Sequence, residues 1–465
     1  MAGIGQADRR FWGWLGAIVA LGLGLRIAGA QGGLWLDEAW SALQARDAGT
    51  PLGVFLNINH DNNHHLNSLW LQFVGFGAPP PLARALSIAS GTAAVLVAGL
   101  LGARRAPGLG LVTALLFAVS PAMVTMGSEA RGYATMSLAL LLAILVVDRW
   151  LAGEASERAP RQLAWCFFLG AFAQLTMFFG FCAVAGWVFF ALWQRGALRT
   201  AIVGTLRLLW PSVLALALVV AVILGAAAAR TGFKFGAYEP FTLLQFLHGV
   251  SEMFEYAIGF PIVSLWWFAL IPALVIVARG WGVRRMALHR LAIIGFPLTL
   301  ALLHAGNVGH PRYYLVAGIA LLVLAAEMLW LGFVAGGWKR WAAGGALALI
   351  LTGSIVQDVD LAINRRGDPA AAVRAMQARA PAGARILLNR DTGLAMLEVA
   401  AAHARYPLAI TLDECPPARF LLIDRYKGEQ EPPRLERCGA HYTPIAERRA
   451  HGMSGTHWTL YERQP

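Results

Sequence analysis

Charged residues are scarce in this chain of 465 residues, of which 14% are charged and 58% are hydrophobic. A soluble protein of this length needs more charge to cover its surface, and the mean hydropathy of +0.57 lies outside the soluble globular range. The shortage is concentrated before residue 358. The composition therefore excludes an ordinary soluble protein and favours an integral membrane protein with many transmembrane helices.

Several familiar motifs are also missing. No Gly-rich phosphate loop follows a strand, no CxxC pair offers metal-site spacing, and there is no internal repeat or low-complexity tract. The opening apolar segment has no A-x-A-like cleavage site before the polar loop that follows it. We therefore expect a retained first helix rather than a signal peptide.

Apolar runs of about 20 residues, or somewhat fewer in a packed bundle, are long enough to cross a bilayer. Eleven runs predict spans, namely residues 11–30, 82–102, 109–127, 132–150, 163–178, 179–194, 208–228, 261–279, 290–304, 313–333 and 341–357. The pair within 163–194 fits either two short spans or one kinked re-entrant hairpin with Gly180 at its tip. The expected fold class is mainly α, with a polytopic transmembrane helical bundle over residues 1–357.

Positive charge is distributed unevenly across this topology. If the N-terminus is cytoplasmic, the inner loops hold 16 basic and 4 acidic residues, whereas the outer loops hold 6 basic and 8 acidic residues. This bias follows the positive-inside rule and accounts for the net charge of +12, so no nucleic-acid partner is needed to explain it. High Ala, Gly, Arg and Trp usage suggests a GC-rich bacterial genome, hence the inner (plasma) membrane and a periplasmic outer side.

The composition changes near residue 358 to a mixed α/β pattern. An amphipathic helix is predicted at 368–380, and short strands are predicted at 385–388, 420–423 and 456–461. With eleven spans, this small C-terminal α/β soluble domain, residues 358–465, lies in the periplasm. Cys415 and Cys438 fall within it, and the sequence is equally consistent with a disulfide between them and with two free thiols.

Polar residues gather at the outer ends of the spans. The loop after the first span contains Trp35-Leu36-Asp37-Glu38 and the polar stretch 60–67. Adjacent acids at a membrane surface are often merely solvated, but so polar a loop beside apolar helices usually carries a site. A divalent metal bound by His60, Asp61, His64 and His65 is a minority alternative, because these ligand types suit zinc or manganese but their spacing matches no standard motif.

Cationic side chains lie at the same rim. Ser128-Glu129-Ala130-Arg131-Gly132-Tyr133 precedes the fourth span, His310-Pro311-Arg312-Tyr313 opens the tenth, and Arg84 and Lys234 lie on the same side. A single arginine there is most simply a snorkelling anchor, whereas several could converge on an anionic head group. Arg26 either joins them or neutralises a local carboxylate. Glu327, deep in the tenth span, is expected to pair with a cytoplasmic arginine.

The order of these motifs resembles that of the GT-C glycosyltransferases, specifically glycosyltransferase family 39. That group includes protein O-mannosyltransferases, lipid A aminoarabinose transferases and rhizobial lipopolysaccharide sugar transferases. The shared pattern is W-x-D-E at Trp35, D-x-N-H at Asp61, E-A-R-x-Y at Glu129 and H-x-R-Y at His310, within residues 10–330. The chain departs from it at His64-His65-Leu66, where relatives commonly have H-P-P or H-P-L.

The resemblance implies an inverting transfer of a sugar from a polyprenyl-phosphate donor to an acceptor hydroxyl, without a nucleotide donor. It assigns Asp37 as the general base, with Glu38 orienting it or the acceptor. Arg131 and Arg312 would bind the donor phosphate, and charge and topology alone add Arg84 and Lys234. The expected sugar and acceptor pocket comprises Asp61, His64, Glu129, Tyr133, His310 and Tyr313. The sugar stays open, and the acceptor can be lipid A or lipopolysaccharide, another glycolipid, a polysaccharide or a protein.

Other membrane functions make different predictions. A transporter or flippase for a lipid-linked saccharide predicts polar or broken-helix features near the bilayer midplane and internal pseudo-symmetry. A polymerase or ligase of lipid-linked polysaccharide would place its working residues in a large, late outer loop. A non-catalytic relative whose tail binds a ligand is a third alternative. Because the polar residues here gather at one rim and no repeat is found, sugar transfer ranks first.

Overall fold

Helices form most of the chain in the computed structural model, which describes residues 6–154, 157–229, 232–234, 236, 238–260, 267–280, 283, 285–412, 418–425 and 435–464. The first helices are α1 (Gln6–Gly29), α2 (Leu36–Asp47), α3 (Pro51–Leu56), α4 (His65–Val74), α5 (Pro80–Ala83), α6 (Ala85–Ala103), α7 (Pro107–Val119), α8 (Pro121–Met126) and α9 (Tyr133–Leu151). The later ones are α10 (Ala159–Ala173), α11 (Met177–Trp193), α12 (Leu198–Ala228), α13 (Leu243–Ile258), α14 (Trp267–Gly280), α15 (Met286–Arg290), α16 (Phe296–Leu302), α17 (Leu315–Ala335), α18 (Gly337–Asn364), α19 (Ala370–Arg379) and α20 (Thr392–Ala404).

The apolar helices make this an integral membrane protein. Within the described residues, six helices are long and apolar enough to cross a bilayer, namely Arg9–Gly29, Ala85–Ala103, Tyr133–Leu151, Leu198–Ala228, Pro311–Ala335 and Gly337–Gly367. Shorter apolar helices are Pro107–Val119, Met177–Trp193, Trp267–Gly280 and Met286–Leu302. Each of the eleven predicted runs overlaps a helix, although 261–266 lies outside the described residues.

The bundle is arranged around α17. Apart from Glu327 this helix is apolar on all sides, and most of its residues are buried, as expected for a helix enclosed by others. By contrast, α18 is apolar but leaves large side chains such as Trp341 and Ile363 exposed. A lipid-facing surface explains that exposure, because hydrocarbon rather than water then surrounds these groups.

The segment 163–194, for which two topologies were predicted, consists of two helices, α10 and α11. They are separated by a break at residues 174–176, where Gln174 has an extended backbone. The expectation that Gly180 marks the tip of this segment is wrong, because Gly180 lies within α11. A helix break needs a residue outside the helical backbone region, and Gln174 rather than the glycine supplies it.

Two charged residues inside the spans have defined partners. Glu327 of α17 accepts hydrogen bonds from Arg105 at 2.9 Å and Arg285 at 2.8 Å, which confirms the expected arginine pairing. Arg26 donates to the carbonyl oxygens of Gly22 at 2.9 Å and Phe117 at 3.1 Å. Its contacts are therefore with the helix backbones that surround it.

The C-terminal domain contains one six-stranded sheet of order β2-β1-β3-β6-β5-β4. The strands are β1 (Ala384–Leu388), β2 (Leu408–Thr411), β3 (Phe420–Arg425), β4 (Leu435–Arg437), β5 (Ala440–Arg448) and β6 (His457–Arg463). β1 is parallel to β2 and β3, and the other pairs are antiparallel. The predicted helix corresponds to α19, and the three predicted strands lie in β1, β3 and β6. α20 and the remaining strands were not predicted from the sequence.

This domain packs against the outer loop that follows the first span. α18 continues past residue 357, where the domain boundary is predicted, as far as Asn364. Ala395, Met396 and Val399 of α20 share an apolar cluster with Ala39 and Leu43 of α2. Within the same domain, Cys438 is disulfide-bonded, and Cys415 lies outside the described residues. The domain thus covers the helix that carries the adjacent carboxylates.

Candidate functional site

The first turn of α2 places Asp37 and Glu38 at a helix N-terminus. Trp35 precedes the helix with an extended backbone, and its backbone N–H donates to Oε2 of Glu38 at 3.2 Å. Carboxylates in the first turn suit the unpaired N–H groups and the positive end of the helix dipole. The local sequence therefore fixes where α2 begins and how both acids are presented.

Asp37 is held by two arginines from distant parts of the chain. Nη1 of Arg131, in the loop before α9, and Nη1 of Arg312, in the 3-10 turn before α17, both donate to Oδ2 of Asp37. Burial on its own would raise the pKa of Asp37, but the guanidinium groups of Arg312 and Arg131 outweigh it and hold that pKa below its ordinary range. The side chain is still 22% exposed, so it can be reached from outside.

Arg131 is oriented on all three of its nitrogen atoms. Besides Asp37, it donates from Nη2 to Oδ1 of Asn62 at 2.8 Å and from Nε to Nε2 of His64 at 3.0 Å. Because arginine can only donate, Nε2 of His64 accepts, and its Nδ1–H therefore donates to the carbonyl of Ala173 at 3.0 Å. Burial and the nearby Arg131 lower the pKa of His64, which keeps this acceptor form neutral.

Two further polar residues, Asn62 and Ser41, hold the backbone of Asp37 in place. Neither was predicted to have a role. Asn62 donates from Nδ2 to the backbone carbonyl of Asp37 and to Oγ of Ser41, both at 3.1 Å. Ser41 donates to the same Asp37 carbonyl at 2.8 Å. The position of Ser41 one helical turn after Asp37 was the available signal, because residues four apart share a helix face.

The expectation that Arg84 binds a donor phosphate is wrong. Its side chain is fully buried and forms a two-point ion pair with Glu38, from Nε at 2.8 Å and Nη2 at 2.5 Å. It also donates to the carbonyl oxygens of Ala30 at 2.7 Å and Gly32 at 2.9 Å. Because its N–H groups already donate to these oxygens and solvent does not reach it, the guanidinium has no free edge for a ligand.

The expected catalytic role of Glu38 is corrected by the same contacts. Its carboxylate is buried and accepts from Arg84, from Trp35 and from the N–H of Ala130 at 2.6 Å. It cannot touch an acceptor, but it ties the start of α2 to the loop that carries Arg131. Glu38 therefore supports the geometry of Asp37 and Arg131 indirectly.

Glu129 is likewise not a pocket residue. Its side chain is 1% exposed and lies 3.6 Å from Nε of Arg366 in the turn that follows α18. Burial raises the pKa of Glu129, although Arg366 opposes that rise. The carboxylate therefore belongs to the contact between the loop at 127–132 and the C-terminal part of the chain.

Asp61 and Lys234 belong to a neighbouring pair of segments. The backbone N–H of Lys234 donates to the backbone carbonyl of Asn59 at 2.7 Å, and the backbone N–H of Asp61 donates to the carbonyl of Lys234 at 3.0 Å. Asp61 also contacts Nδ1 of His60 at 2.7 Å, and together they line a small cavity. Lys234 is exposed. Both residues thus lie on the surface beside the Asp37 centre.

The aromatic residues of the predicted pocket surround the two arginines. The guanidinium carbon of Arg131 lies over the ring of Tyr133, 5.2 Å from the ring centre. The guanidinium carbon of Arg312 lies over the ring of Trp35, 5.6 Å from its centre. His310 and Tyr313 are partly buried, with ring centres 5.9 Å apart. Burial and the nearby Arg312 lower the pKa of His310. These contacts fix the planes of the guanidinium groups.

A metal site finds no support in this loop. Across the described ranges, no group of three or more His, Cys, Asp or Glu side chains is arranged to bind a metal ion. His64 is bonded to Arg131, and His65 stacks on Phe55 with ring centres 5.2 Å apart. His60 and Asp61 contact each other, whereas His64 and His65 have other partners, so the four candidate ligands at 60–65 do not converge on one point.

Comparison with solved structures identifies the architecture. ArnT from Cupriavidus metallidurans in the apo state aligns with a TM-score of 0.57 and 11% identity, over 96% of this chain and 98% of that one. The same protein bound to undecaprenyl phosphate gives 0.51 and 12%, with the same coverage. The Archaeoglobus fulgidus oligosaccharyltransferase in complex with Zn and sulfate gives 0.51 and 14%, over 88% of this chain and 68% of that one.

No protein-family model matches the chain, and no curated protein matches it either. The structural likeness nevertheless extends over nearly the whole length, with the C-terminal domain included. Because the identities are low, it establishes the architecture. The chain has the fold of the GT-C membrane glycosyltransferases.

Proposed function

We propose that the protein is an inverting glycosyltransferase that moves a sugar from a polyprenyl-phosphate donor to an acceptor hydroxyl at the periplasmic face of the inner membrane. One observation carries the proposal: Asp37, Arg131 and Arg312 come from three separate segments and meet at a partly exposed point. A carboxylate beside two guanidinium groups supplies both a base and a site for a leaving phosphate.

The two arginines suit the phosphate of the donor. Guanidinium groups bind phosphate oxygens through paired N–H donors, and here their orientation is set in advance by His64, Asn62 and Trp35. One structure of similar fold is a complex with undecaprenyl phosphate, which supports a polyprenyl phosphate as the partner. Lys234, exposed on the adjoining segment, would attract the phosphate as it approaches.

Asp37 would act as the general base after an exchange of partners. While both arginines bind it, its low pKa makes it a poor base. When the donor phosphate takes the arginines, the carboxylate is released and its basicity rises. The acceptor oxygen then forms a bond to the anomeric carbon, the bond from that carbon to the phosphate oxygen breaks, and the acceptor proton passes to Asp37. The leaving polyprenyl phosphate keeps the electron pair, and the arginines stabilise its charge.

The sugar and acceptor would lie between the Asp37 centre and the neighbouring surface. Tyr133, His310 and Tyr313 are close to the arginines, and Asp61 borders the adjacent cavity. His64 contributes through Arg131, because both of its ring nitrogens are already bonded. The C-terminal domain packs on the same side as this site. A periplasmic site therefore implies a periplasmic domain.

Sugar transfer by purified protein in liposomes tests the proposal. A panel of polyprenyl-phosphate sugars is offered with a membrane lipid extract as acceptor, and wild type is compared with Asp37→Asn. The matched control is Asp47→Asn at the opposite end of α2, where the side chain is 59% exposed. We expect transfer from one donor class by wild type and the control, with a loss of roughly 10²–10⁴-fold for Asp37→Asn. No consumption of any donor would contradict the proposal.

A further inference from the structure

A tight turn joins α18 to the C-terminal domain. We call residues 366–368 the junction turn, and all three have positive φ, at +57° for Arg366, +82° for Gly367 and +38° for Asp368. Left-handed backbone is unfavourable for residues that carry a Cβ atom, so surrounding contacts must hold the turn in place. Those contacts lead directly to the two loops that carry the site.

The side chain of Arg366 is completely buried and binds the backbone of the membrane domain. It donates to the carbonyl oxygens of Gly29 at 2.5 Å and Thr125 at 3.1 Å, and to Oγ of Ser128 at 2.8 Å. A fourth bond reaches Oγ of Ser454 at 3.2 Å, in the C-terminal domain. One guanidinium therefore joins the end of α1, the loop before α9 and the C-terminal domain.

The rest of the junction turn binds the segment that leads into α2. Oδ1 of Asp368 accepts from the N–H of Gly33 at 2.8 Å. Gly33 is packed so tightly that a Cβ atom there would lie 2.7 Å from the backbone nitrogen of Ala370. Thr456, whose N–H donates to the carbonyl of Arg366 at 3.2 Å, accepts from Leu36 at 3.4 Å. Leu36 immediately precedes Asp37.

We propose that Arg366 is a positioning residue for the site, and this inference rests on the proposed function. Arg366 fixes the segment from Gly29 to Asp37 relative to the loop that ends in Arg131, because it is bonded to Gly29 at the start of that segment and to Ser128 in that loop. Its carbonyl also accepts from Thr456, which in turn binds Leu36. Glu38 closes the same arrangement from the other side through Trp35 and Ala130. The C-terminal domain is thereby part of the catalytic architecture, although Arg366 touches no reacting atom.

The substitution Arg366→Lys tests this inference in the full-length protein. Lysine keeps a positive charge beside Glu129 but cannot reproduce the planar set of donors. Arg365→Lys is the matched control, because Arg365 is the preceding residue, also has a positive φ and is exposed. Transfer rate, affinity for undecaprenyl phosphate and amide hydrogen exchange at Trp35 and Ala130 are measured on each variant.

For Arg366→Lys we expect kcat to fall by about 10²-fold, since a displacement of roughly 1 Å between reacting groups has that effect. Affinity for the lipid phosphate should stay close to that of wild type, because Arg131 and Arg312 are both present. Exchange at Trp35 and Ala130 should become faster. The control should behave as wild type in all three measurements.

A folded Arg366→Lys protein with wild-type kcat and wild-type exchange would overturn the inference. If that variant does not fold, the double variant Glu129→Gln/Arg366→Gln removes both buried charges and should show the same loss of kcat and the same faster exchange. If wild type transfers from no donor, the proposed function fails. Hydrogen exchange then decides the positioning role alone, and unchanged exchange would refute it.

Discussion

Asp37 and Glu38 follow one another in the first turn of α2, yet their carboxylates face opposite surroundings. The Asp37 side chain is 22% exposed and is shared by two arginines, whereas that of Glu38 is fully buried against Arg84. Successive residues on a helix point about 100° apart. One helical turn thus presents a partly exposed carboxylate on one side and a buried, ion-paired carboxylate on the other.

Glu38→Gln should destabilise the protein strongly. The substitution leaves Arg84 buried without its carboxylate, and breaking a buried ion pair costs about 3–5 kcal/mol of the free energy of unfolding. Unfolding in detergent, followed by heat or denaturant, measures this loss. The matched variant Glu398→Gln removes one of the two acidic partners of Arg46 at the surface and should cost less than about 1 kcal/mol. Equal losses in the two variants would contradict the structural role of Glu38.

The pH dependence of transfer should differ between kcat and kcat/KM. In the free protein the pKa of Asp37 lies below its ordinary range, so Asp37 stays ionised as pH falls and loses its charge only below that range. In the proposed mechanism, donor binding withdraws the arginines, and the pKa of Asp37 in the complex is then higher than in the free protein. The pH dependence of kcat reports the complex and that of kcat/KM the free enzyme. On acidification, kcat should therefore begin to fall at a higher pH than kcat/KM does. A decline of kcat at the same or a lower pH would refute the exchange of partners.

Gly132→Ala should disturb the site without touching a charged group. A Cβ atom at Gly132 would lie 1.7 Å from the carbonyl oxygen of Ala173, which accepts from His64. Displacing that carbonyl removes the bond that fixes His64 and, through it, Arg131. We expect transfer to fall by about 10²-fold, as for other small displacements of reacting groups. Gly225→Ala in α12, where the added atom meets open space, is the control and should retain full transfer.

Arg131→Lys and Arg312→Lys should both weaken donor affinity and transfer, with the larger loss for Arg131→Lys. Removing a charge-stabilising donor from an active site typically lowers kcat by about 10²–10³-fold. Arg131 also binds His64 and Asn62, and lysine cannot keep those contacts together with the one to Asp37. Arg448→Lys, an exposed arginine of the C-terminal domain, is the control. Wild-type kinetics in either site variant would exclude that arginine from the phosphate site.

The sequence was sufficient to predict the long apolar helices, and the family resemblance grouped Asp37, Arg131 and Arg312 in one expected site. Hydrophobic length is a local property, and matching motifs on one membrane side indicated which loops would meet. The short helices α2–α5 were missed because each is too short for a clear periodic pattern. Their stability depends on packing against the bundle and α20.

Charge alone could not separate the proposed binding residues from buried supports. Arg84 and Arg131 carry the same side chain at the same rim, yet only Arg131 lies at a partly exposed centre. The difference depends on tertiary partners, Glu38 in one case and Asp37 in the other. Glu129 was misassigned for the same reason, since its partner Arg366 lies in the turn after the last span. No local pattern connects those two residues.

The most direct test compares transfer and donor binding in one preparation of Asp37→Asn. In this account the carboxylate competes with the donor phosphate for Arg131 and Arg312. The variant should therefore lose transfer by roughly 10²–10⁴-fold while it binds undecaprenyl phosphate at least as tightly as wild type does. Loss of both activities would show that Asp37 only organises the arginines, and retention of transfer would show that it is not the base. Either result would contradict the account.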